Sequence, residues 1–231
     1  MRRDPIVLFD NGTHRCMMFD DLVSGEGVQS NQFLIIDHDQ YLLLDPGGDL
    51  TYVPLTMELS RHIPVQELTY IFASHQDPDI IASLDKWLLH TRAQVICSKL
   101  WARFLPHLTA NYLALSRGIN TYERIIALPD RGQSFAVGRC TLKAVPAHFL
   151  HSVGNFQLYD PLSKILFSGD MGASMLDDSG PVADFAAHVP SMLGFHRRYM
   201  ASNKACRLWA AMVRGMDVEM IVPQHGRPFV G

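Results

Sequence analysis

The sequence predicts a mixed α/β fold in a single domain, and three observations support this prediction. Short apolar runs typical of strands alternate irregularly with stretches of helical periodicity along the chain. The length of 231 residues fits one large domain, and there is no internal repeat, low-complexity tract or flexible linker. Hydrophobic residues make up 48% of the chain, which is enough for a substantial core.

The first third of the chain contains predicted strands separated by sharp turns. Gln32–Asp37 and Tyr41–Asp45 are apolar runs joined by three polar residues, a pattern typical of a hairpin. Asp45-Pro46-Gly47-Gly48-Asp49 then breaks the chain, and Leu68–Ser74 is apolar enough for a strand buried on both faces. A helix is predicted to begin at Pro78, with its apolar face formed by Ile80, Ile81, Leu84, Trp87 and Leu88.

The remainder of the chain continues the mixture of strands and helices. Short apolar runs predict strands at Val95–Cys97, Phe135–Val137, Thr141–Val145, Asn155–Tyr159, Ile165–Ser168 and Met220–Pro223. Longer stretches of helical periodicity predict a helix over Lys99–Ser116, interrupted near Pro106, and a second over Gly194–Arg214.

Composition excludes several functional classes. Lys+Arg 20 against Asp+Glu 23 gives a formal net charge of −3, so a simple basic surface for nucleic acid is not expected. No apolar run approaches the roughly 18–20 residues of a membrane span, and Ile6–Phe9 is too short for a signal-peptide core. The cysteines lack a C-x-x-C pair, so we expect a reducing cytoplasm rather than a disulfide framework around Cys16, Cys97, Cys140 and Cys206.

Polar residues capable of binding metal follow several of the predicted buried strands. They are His75, Asp77, Asp79, His151, Asp170 and His225. Loops at strand ends can aim several side chains at one point, and imidazoles and carboxylates are common metal ligands. A single histidine in such a position is more often a capping or core residue. A set of them after successive strands predicts a metal centre.

The spacing of the first three residues supports this interpretation. Alternate residues of an extended segment point the same way, so His75, Asp77 and Asp79 can converge. The alternative is a helix N-cap followed by an acidic residue in the first helical turn. That alternative explains one aspartate, but it does not account for His75.

These motifs resemble the metal-binding motifs of the metallo-β-lactamase fold. The resemblance rests on His75-x-Asp77-x-Asp79, His151, Gly169-Asp170 and Pro223-Gln224-His225-Gly226. It is strongest to the diiron domain of flavodiiron proteins and to their stand-alone relatives, the oxygen-binding diiron proteins, and it runs from about Gln32 to Phe229. The fold it implies is an α/β, four-layer αββα sandwich that occupies residues 1–231 as a single domain without a flavodoxin domain.

The sequence departs at two positions from the hydrolase pattern His-x-His-x-Asp-His. Asp77 stands in place of the second histidine, and its hard anionic oxygen shifts the preference from zinc toward iron or manganese. The flavodiiron pattern also carries a carboxylate there, usually glutamate. Ile80 stands in place of the third histidine, so one metal is expected to keep an open coordination position.

Two histidines compete for one ligand position. His148 and His151 lie three residues apart, and the family pattern of a ligand histidine, a small turn and a strand fits His151-Ser-Val-Gly. The separation from His151 to Asp170 also suits the flavodiiron pattern better. We therefore assign the ligand to His151 and treat His148 as a residue that supports the ligands or lines the pocket, or as purely structural.

The family roles divide the ligands between two metals that share a bridging carboxylate. The first metal would be bound by His75, Asp77 and His151, the second by Asp79 and His225, with Asp170 as the bridge. The resemblance implies two iron ions bridged by hydroxide or oxide, with zinc or manganese as alternatives and no bound flavin. Two divalent ions and three carboxylates leave one positive charge, which a bridging hydroxide neutralises.

The resemblance implies a protein that binds, senses or reduces O2, with NO as an alternative ligand. Flavodiiron proteins take electrons from an FMN-bearing flavodoxin domain. Only a few residues follow His225, so we expect a separate electron donor or a signalling protein as partner. The family also implies a homodimer. The alternative function is a dimetal hydrolase of the same fold acting on phosphodiester or ester substrates, because two metals can activate water.

Other residues are assigned weaker roles. Asp45 follows an early strand and either supports a ligand from behind or is an ordinary turn residue. His188 and His196 lie between Asp170 and His225, where a lid could reach the metals.

Overall fold

Two β-sheets packed face to face form the centre of the molecule, in a computed structural model that describes residues 4–109, 118–175 and 180–231. Within those residues one sheet has seven strands, in the order β1-β2-β3-β4-β5-β6-β7, and the other has six, in the order β13-β12-β11-β10-β9-β8. Helices cover the outer face of each sheet. The predicted αββα sandwich is confirmed.

The first sheet changes from antiparallel to parallel at its centre. Its strands are β1 Ile6–Asp10, β2 His14–Phe19, β3 Gln32–Asp37, β4 Gln40–Leu44, β5 Tyr70–Ala73, β6 Gln94–Ser98 and β7 Ile125–Leu128. Pairing is antiparallel from β1 to β4 and parallel from β4 to β7. The carboxyl ends of β4, β5 and β6 therefore lie at the same edge.

The second sheet is mainly antiparallel. Its strands are β8 Gln133–Val137, β9 Cys140–Pro146, β10 Phe156–Asp160, β11 Ile165–Phe167, β12 Met220–Val222 and β13 Phe229–Val230. Only β11 and β12 pair in parallel within the residues described. The end of β9, the start of β10 and the ends of β11 and β12 therefore meet at one end of the sandwich.

Five α-helices lie within the described ranges. They are α1 Asp49–Leu59, α2 Pro78–Ile81, α3 Leu84–His90, α4 Phe185–Tyr199 and α5 Asn203–Val213. Short 3₁₀ turns occur at Val65–Glu67, Leu105–Leu108 and Thr121–Arg124. Among the described helices, none combines the length and apolar character that crossing a membrane requires.

Alternating side chains of the strands build separate layers of core. Phe33, Phe72, Phe156 and Phe167 are fully or almost fully buried between the two sheets. On the outer face of the first sheet, residues such as Leu43 and Ile71 pack with helix residues that include Leu55 and Trp87. On the outer face of the second sheet, Tyr159 and Leu166 pack against Trp209 of α5. The period-two pattern of the strands thus assigns each side chain to one layer.

Three predicted helices differ from those observed. The helix predicted after Pro78 is two short helices, α2 and α3, although all five predicted apolar residues are buried. Residues 99–109 form turns and one 3₁₀ segment rather than an α-helix, because Pro106 has no N–H to donate; positions 110–116 lie outside the described residues. The predicted Gly194–Arg214 helix is interrupted after Tyr199, and Ser202 starts α5 by accepting a hydrogen bond from Ala205 N.

Candidate metal centre

The six predicted ligands converge at one end of the sandwich because each follows the end of a strand. His75 lies directly beyond β5, and Asp77 and Asp79 lie at the start of α2. The other three residues follow β9, β11 and β12 in the second sheet, and they are His151, Asp170 and His225. The two sheets therefore supply ligands from opposite sides of one cavity.

One set of donor atoms surrounds a single oxygen of Asp170. His151 Nε2 lies 2.8 Å from Asp170 Oδ2 and 3.2 Å from Asp77 Oδ2. His75 Nε2 lies 3.6 Å from Asp170 Oδ2 and 3.9 Å from Asp77 Oδ2. Donor atoms of these four residues all lie within 4.8 Å of one another, a spacing suitable for one metal ion.

A second set faces the other oxygen of the same carboxylate. His225 Nε2 lies 3.6 Å from Asp170 Oδ1 and 3.5 Å from Asp79 Oδ2. Asp170 thus presents Oδ2 to one group of ligands and Oδ1 to another. This is the arrangement that a carboxylate bridging two metal ions requires.

Two buried atoms in the site have no hydrogen-bond partner. These are His75 Nε2 and Asp170 Oδ1, whose side chains are 1% and 3% exposed. Buried polar atoms are nearly always paired, so atoms left unpaired and aimed at a common cavity fit metal ligation. Three imidazoles with three carboxylates form a donor set that suits iron or manganese better than an all-histidine set does. The residues present therefore fit a pair of metal ions.

Hydrogen bonds on the far side of two histidines fix the orientation of their rings. Ser74 Oγ donates to Asp45 Oδ2 at 2.8 Å, so it accepts from His75 Nδ1 at 2.9 Å. His225 Nδ1 donates to the carbonyl of Gln29 at 2.6 Å. In both rings Nδ1 carries the proton, which leaves Nε2 free to bind metal.

The turn at residues 45–49 packs closely against the segment that carries the ligands. Gly47 N donates to the carbonyl of Ile80 at 2.8 Å, and a Cβ placed on Gly48 would meet the carbonyl oxygen of Pro78 at 2.8 Å. Glycine is therefore required for this approach. The predicted early turn holds α2 in place.

The protein groups alone shift several pKa values strongly. Hydrogen bonds that His151 donates to Asp170 and then to Asp77 raise the pKa of His151 to about 10. Burial lowers the pKa of His75, although the surrounding carboxylates oppose that shift. Burial raises the pKa of Asp45 to about 7, against the effect of its hydrogen bonds from Ser74. Perturbations of this kind are concentrated at functional sites.

Other predicted residues lie away from the ligand atoms. His148 Nε2 donates to the carbonyl of Asp130 at 2.7 Å, so the structure brings His151 rather than His148 to the carboxylates. Ile80 is fully buried in α2, directly after Asp79, and carries no atom that could bind a metal. His188 packs on Phe229, away from the ligands. His196 accepts from Gly172 N at 3.1 Å, and the histidine therefore supports the loop after Asp170 rather than acting as a lid.

The ligands open into a cavity of about 600 Å³ whose walls are largely apolar. The apolar residues around it include Val28, Leu50, Met175, Phe195 and Tyr199. The Tyr199 ring lies 5.3 Å from the ring of His151, and Phe195 lies 6.3 Å from His225, measured between centroids. One turn of α4 therefore covers His151 and His225.

Sequence reasoning did not identify several residues that shape the centre. Ser74 is the polar residue between β5 and His75. Its position directly before a predicted ligand was the sequence signal that could have identified it. Phe195 and Tyr199 are four residues apart on one helical face, but the sequence did not show which face meets the ligands. The Gln29 contact involves a backbone carbonyl, so side-chain identity could not reveal it.

Comparisons with known proteins identify a matching family and a similar solved structure. The model of a family described as ODP family beta lactamase matches residues 28–226. A structure described as the peroxy diiron species of the chemotaxis sensor ODP is 38% identical, with a TM-score of 0.86 over 99% of this chain and 90% of that chain.

Two further relatives are more distant. A metal-soaked flavodiiron core from Synechocystis is 18% identical, with a TM-score of 0.80 over 100% of this chain and 58% of that chain, a likeness of fold alone. An uncharacterized protein of Methanocaldococcus jannaschii is 25% identical over 206 residues, or 87% of this chain. The chain spans about half of that relative, at 49% of its length.

Proposed function

This chain belongs to the ODP family of β-lactamase-type proteins, and from that premise we propose that it binds O2 at a diiron centre. The ligands of the centre are His75, Asp77, Asp79, His151, Asp170 and His225. The observation that carries the proposal is the division of the ligands around Asp170. Its Oδ2 faces His75 and His151, and its Oδ1 faces His225. Both oxygens belong to one buried carboxylate.

The protein residues hold, orient and isolate the metal pair. A pair of reduced iron ions held by these residues would supply electrons to a small diatomic ligand. Ser74 and the Gln29 carbonyl hold the Nδ1 protons of His75 and His225, so that each ring presents Nε2. The apolar walls accept an uncharged gas readily and disfavour the escape of a charged product, because an unpaired charge is costly in a low-dielectric pocket.

The chemistry of the donor set supports iron over zinc. Asp77 supplies an oxygen 3.2 Å from His151 Nε2, where an all-histidine site would supply nitrogen. The related chemotaxis sensor was described with a diiron centre, and it shares 38% of its residues over nearly the whole chain. NO is the alternative diatomic ligand of the same site.

The same reasoning extends to partners and location. The protein acts as an O2 sensor or as a reductase that takes electrons from a separate donor, and a signalling protein or an electron-transfer protein is its partner. We infer a homodimer in the cytoplasm. Cys16, Cys97 and Cys140 are buried, Cys206 is half-buried and none of the four forms a disulfide, which is consistent with a reducing compartment.

The test uses protein made in iron-supplied cells. Metal analysis is followed by optical spectra of the anaerobically reduced protein before and after O2 is added, with the His148→Ala variant as a control that leaves the carboxylate contacts intact. Two irons per chain and an O2-dependent spectral change are expected. An iron-free protein would contradict the proposal. An iron form that shows no response to O2, together with a zinc form that efficiently hydrolyses phosphodiesters or esters, would establish the hydrolase instead.

A further inference from the structure

A second group of metal-ligating side chains lies at the opposite end of the sandwich. We call it the far cluster, and it consists of His14, Cys16, Cys140 and Asp160. His14 and Cys16 lie on β2, Cys140 begins β9 and Asp160 ends β10. Strand β10 begins beside Ser74 near the metal centre, and at about 3.3 Å per residue it carries Asp160 roughly 13 Å away.

The far cluster is sealed from solvent. His14, Cys16 and Asp160 are each 0% exposed, and Cys140 is 8% exposed. Buried Asp and His side chains need an ion pair, a hydrogen bond or a metal to offset the cost of burying their charge. The thiols beside them are ligands that zinc prefers. The proposed function uses none of these residues.

The donor atoms have the separations of a small coordination sphere. The ligand atoms of His14, Cys140 and Asp160 all lie within 4.8 Å of one another. Cys16 Sγ lies 3.3 Å from Asp160 Oδ2 and 3.6 Å from His14 Nε2, while Cys140 Sγ lies 3.5 Å from Asp160 Oδ1. Zinc bonds of about 2.0–2.3 Å place tetrahedral neighbours about 3.3–3.8 Å apart.

One contact is shorter than this geometry. His14 Nε2 lies 2.8 Å from Asp160 Oδ2, the length of a hydrogen bond. A metal ion entering between them replaces the imidazole proton and requires these two atoms to separate by about half an ångström.

His14 is oriented as histidine ligands of metals commonly are. Its Nδ1 donates to Asp37 Oδ2 at 2.8 Å, so that Nε2 faces Asp160 and Cys16. Asp37 is fixed in turn, because its Oδ1 accepts from Arg139 N at 2.6 Å and from His38 Nδ1 at 2.8 Å. A carboxylate behind a histidine ligand fixes its tautomer and increases its basicity.

Asp160 attracts an unusual number of donors. It accepts from His14, from both thiols, from Ser163 Oγ and from Leu162 N. So many hydrogens directed at one buried carboxylate compensate its negative charge. A single cation would replace several of them.

We propose that the far cluster is a structural zinc site, with His14 Nε2, Cys140 Sγ and Asp160 as ligands and Cys16 Sγ as the fourth donor. Both thiols lose their protons on coordination. Two thiolates and one carboxylate then exceed the charge of Zn²⁺ by one, and the hydrogen bonds that Leu162 N and Ser163 Oγ donate to Asp160 help to offset this excess. The ion ties β2 of one sheet to β9 and β10 of the other.

Cobalt substitution of the whole protein tests this proposal, since Co²⁺ bound by thiolate has a strong ligand-to-metal charge-transfer band in the near ultraviolet. The proposed diiron ligands contain no thiol, so the band reports the far cluster alone. Protein made in cobalt-supplied cells is expected to show the band in the wild type and in the Cys206→Ser control. The double variant Cys16→Ser/Cys140→Ser is expected to lose it.

A second measurement covers the case in which the double cysteine variant does not fold. Asp37→Asn keeps every ligand, and it is expected to weaken zinc retention against a chelator by about 10–100-fold. A wild-type protein without the thiolate band and without bound zinc would overturn the proposal, as would a band that persists in Cys16→Ser/Cys140→Ser. Iron content and the response to O2 are measured separately, so failure here leaves the proposed function standing.

Discussion

His151 Nε2 lies 2.8 Å from Asp170 Oδ2, although the two residues belong to loops that follow different strands of the second sheet. Asp77, which is contributed by the first sheet, approaches the same nitrogen at 3.2 Å. Two negative carboxylates would repel each other unless a positive charge lay between them. The contact therefore marks the position where the two halves of the sandwich meet around a cation.

Replacing His151 with Ala is expected to remove at least one of two metal ions per chain, because its metal would keep only His75 and two carboxylates. Metal analysis of protein from iron-supplied cells measures this loss. His148→Ala is the matched control, since its ring bonds to the Asp130 carbonyl, and it should retain both ions. The opposite pattern would show that His148 is the ligand.

The Ser74→Ala variant should bind iron about 10–100-fold more weakly, because Ser74 Oγ fixes the His75 ring and connects it to Asp45. Competition with a chelator measures the affinity. Ser98→Ala provides a control, as Ser98 is also buried at the end of a parallel strand, but among the contacts described its Oγ bonds only to Leu100 N. Equal iron affinity in the two variants would exclude a positioning role for Ser74.

Substituting His for Ile80 should add a nitrogen donor on α2, next to Asp79. The second metal should then be released more slowly to a chelator, and the reduced protein should react more slowly with O2 in stopped-flow measurements. Ile81→His is the control, because Ile81 faces the core under the helices and its replacement should lower the free energy of unfolding by about 1–3 kcal/mol without slowing metal release. Unchanged metal release in Ile80→His would place Ile80 outside the reach of the second metal.

The purified chain is expected to lack the yellow absorbance of FMN and to consume negligible O2 with NADH alone. The physical reason is that the proposed iron pair can supply only a limited number of electrons before an external donor must reduce it again. Oxygen-electrode measurements with and without an added electron-transfer protein test this expectation. A stoichiometric flavin bound to the chain would contradict it.

Local sequence patterns were sufficient for the central strands and for choosing the polar residues that converge at the candidate metal centre. Gln32–Asp37 is a strand with the predicted bounds, and β5 lies within the predicted Leu68–Ser74 run. The missed elements carry weaker signals. Strand β2 begins with His14 and Arg15, whose polar character obscures the alternation, and α1 contains Pro54, which argues against a helix interior. For that reason the far cluster was not foreseen.

The sequence by itself determined which residues are available at strand ends and what chemistry they offer, because strand periodicity and residue type are local properties. It therefore identified His75, Asp77 and Asp170 without coordinates. Only the tertiary structure decided that Asp170 divides its two oxygens between separate ligand sets, and that Cys140 and His14 meet at the other end of the molecule. Those contacts join residues far apart in the chain, and their distances depend on how two sheets pack rather than on any local pattern.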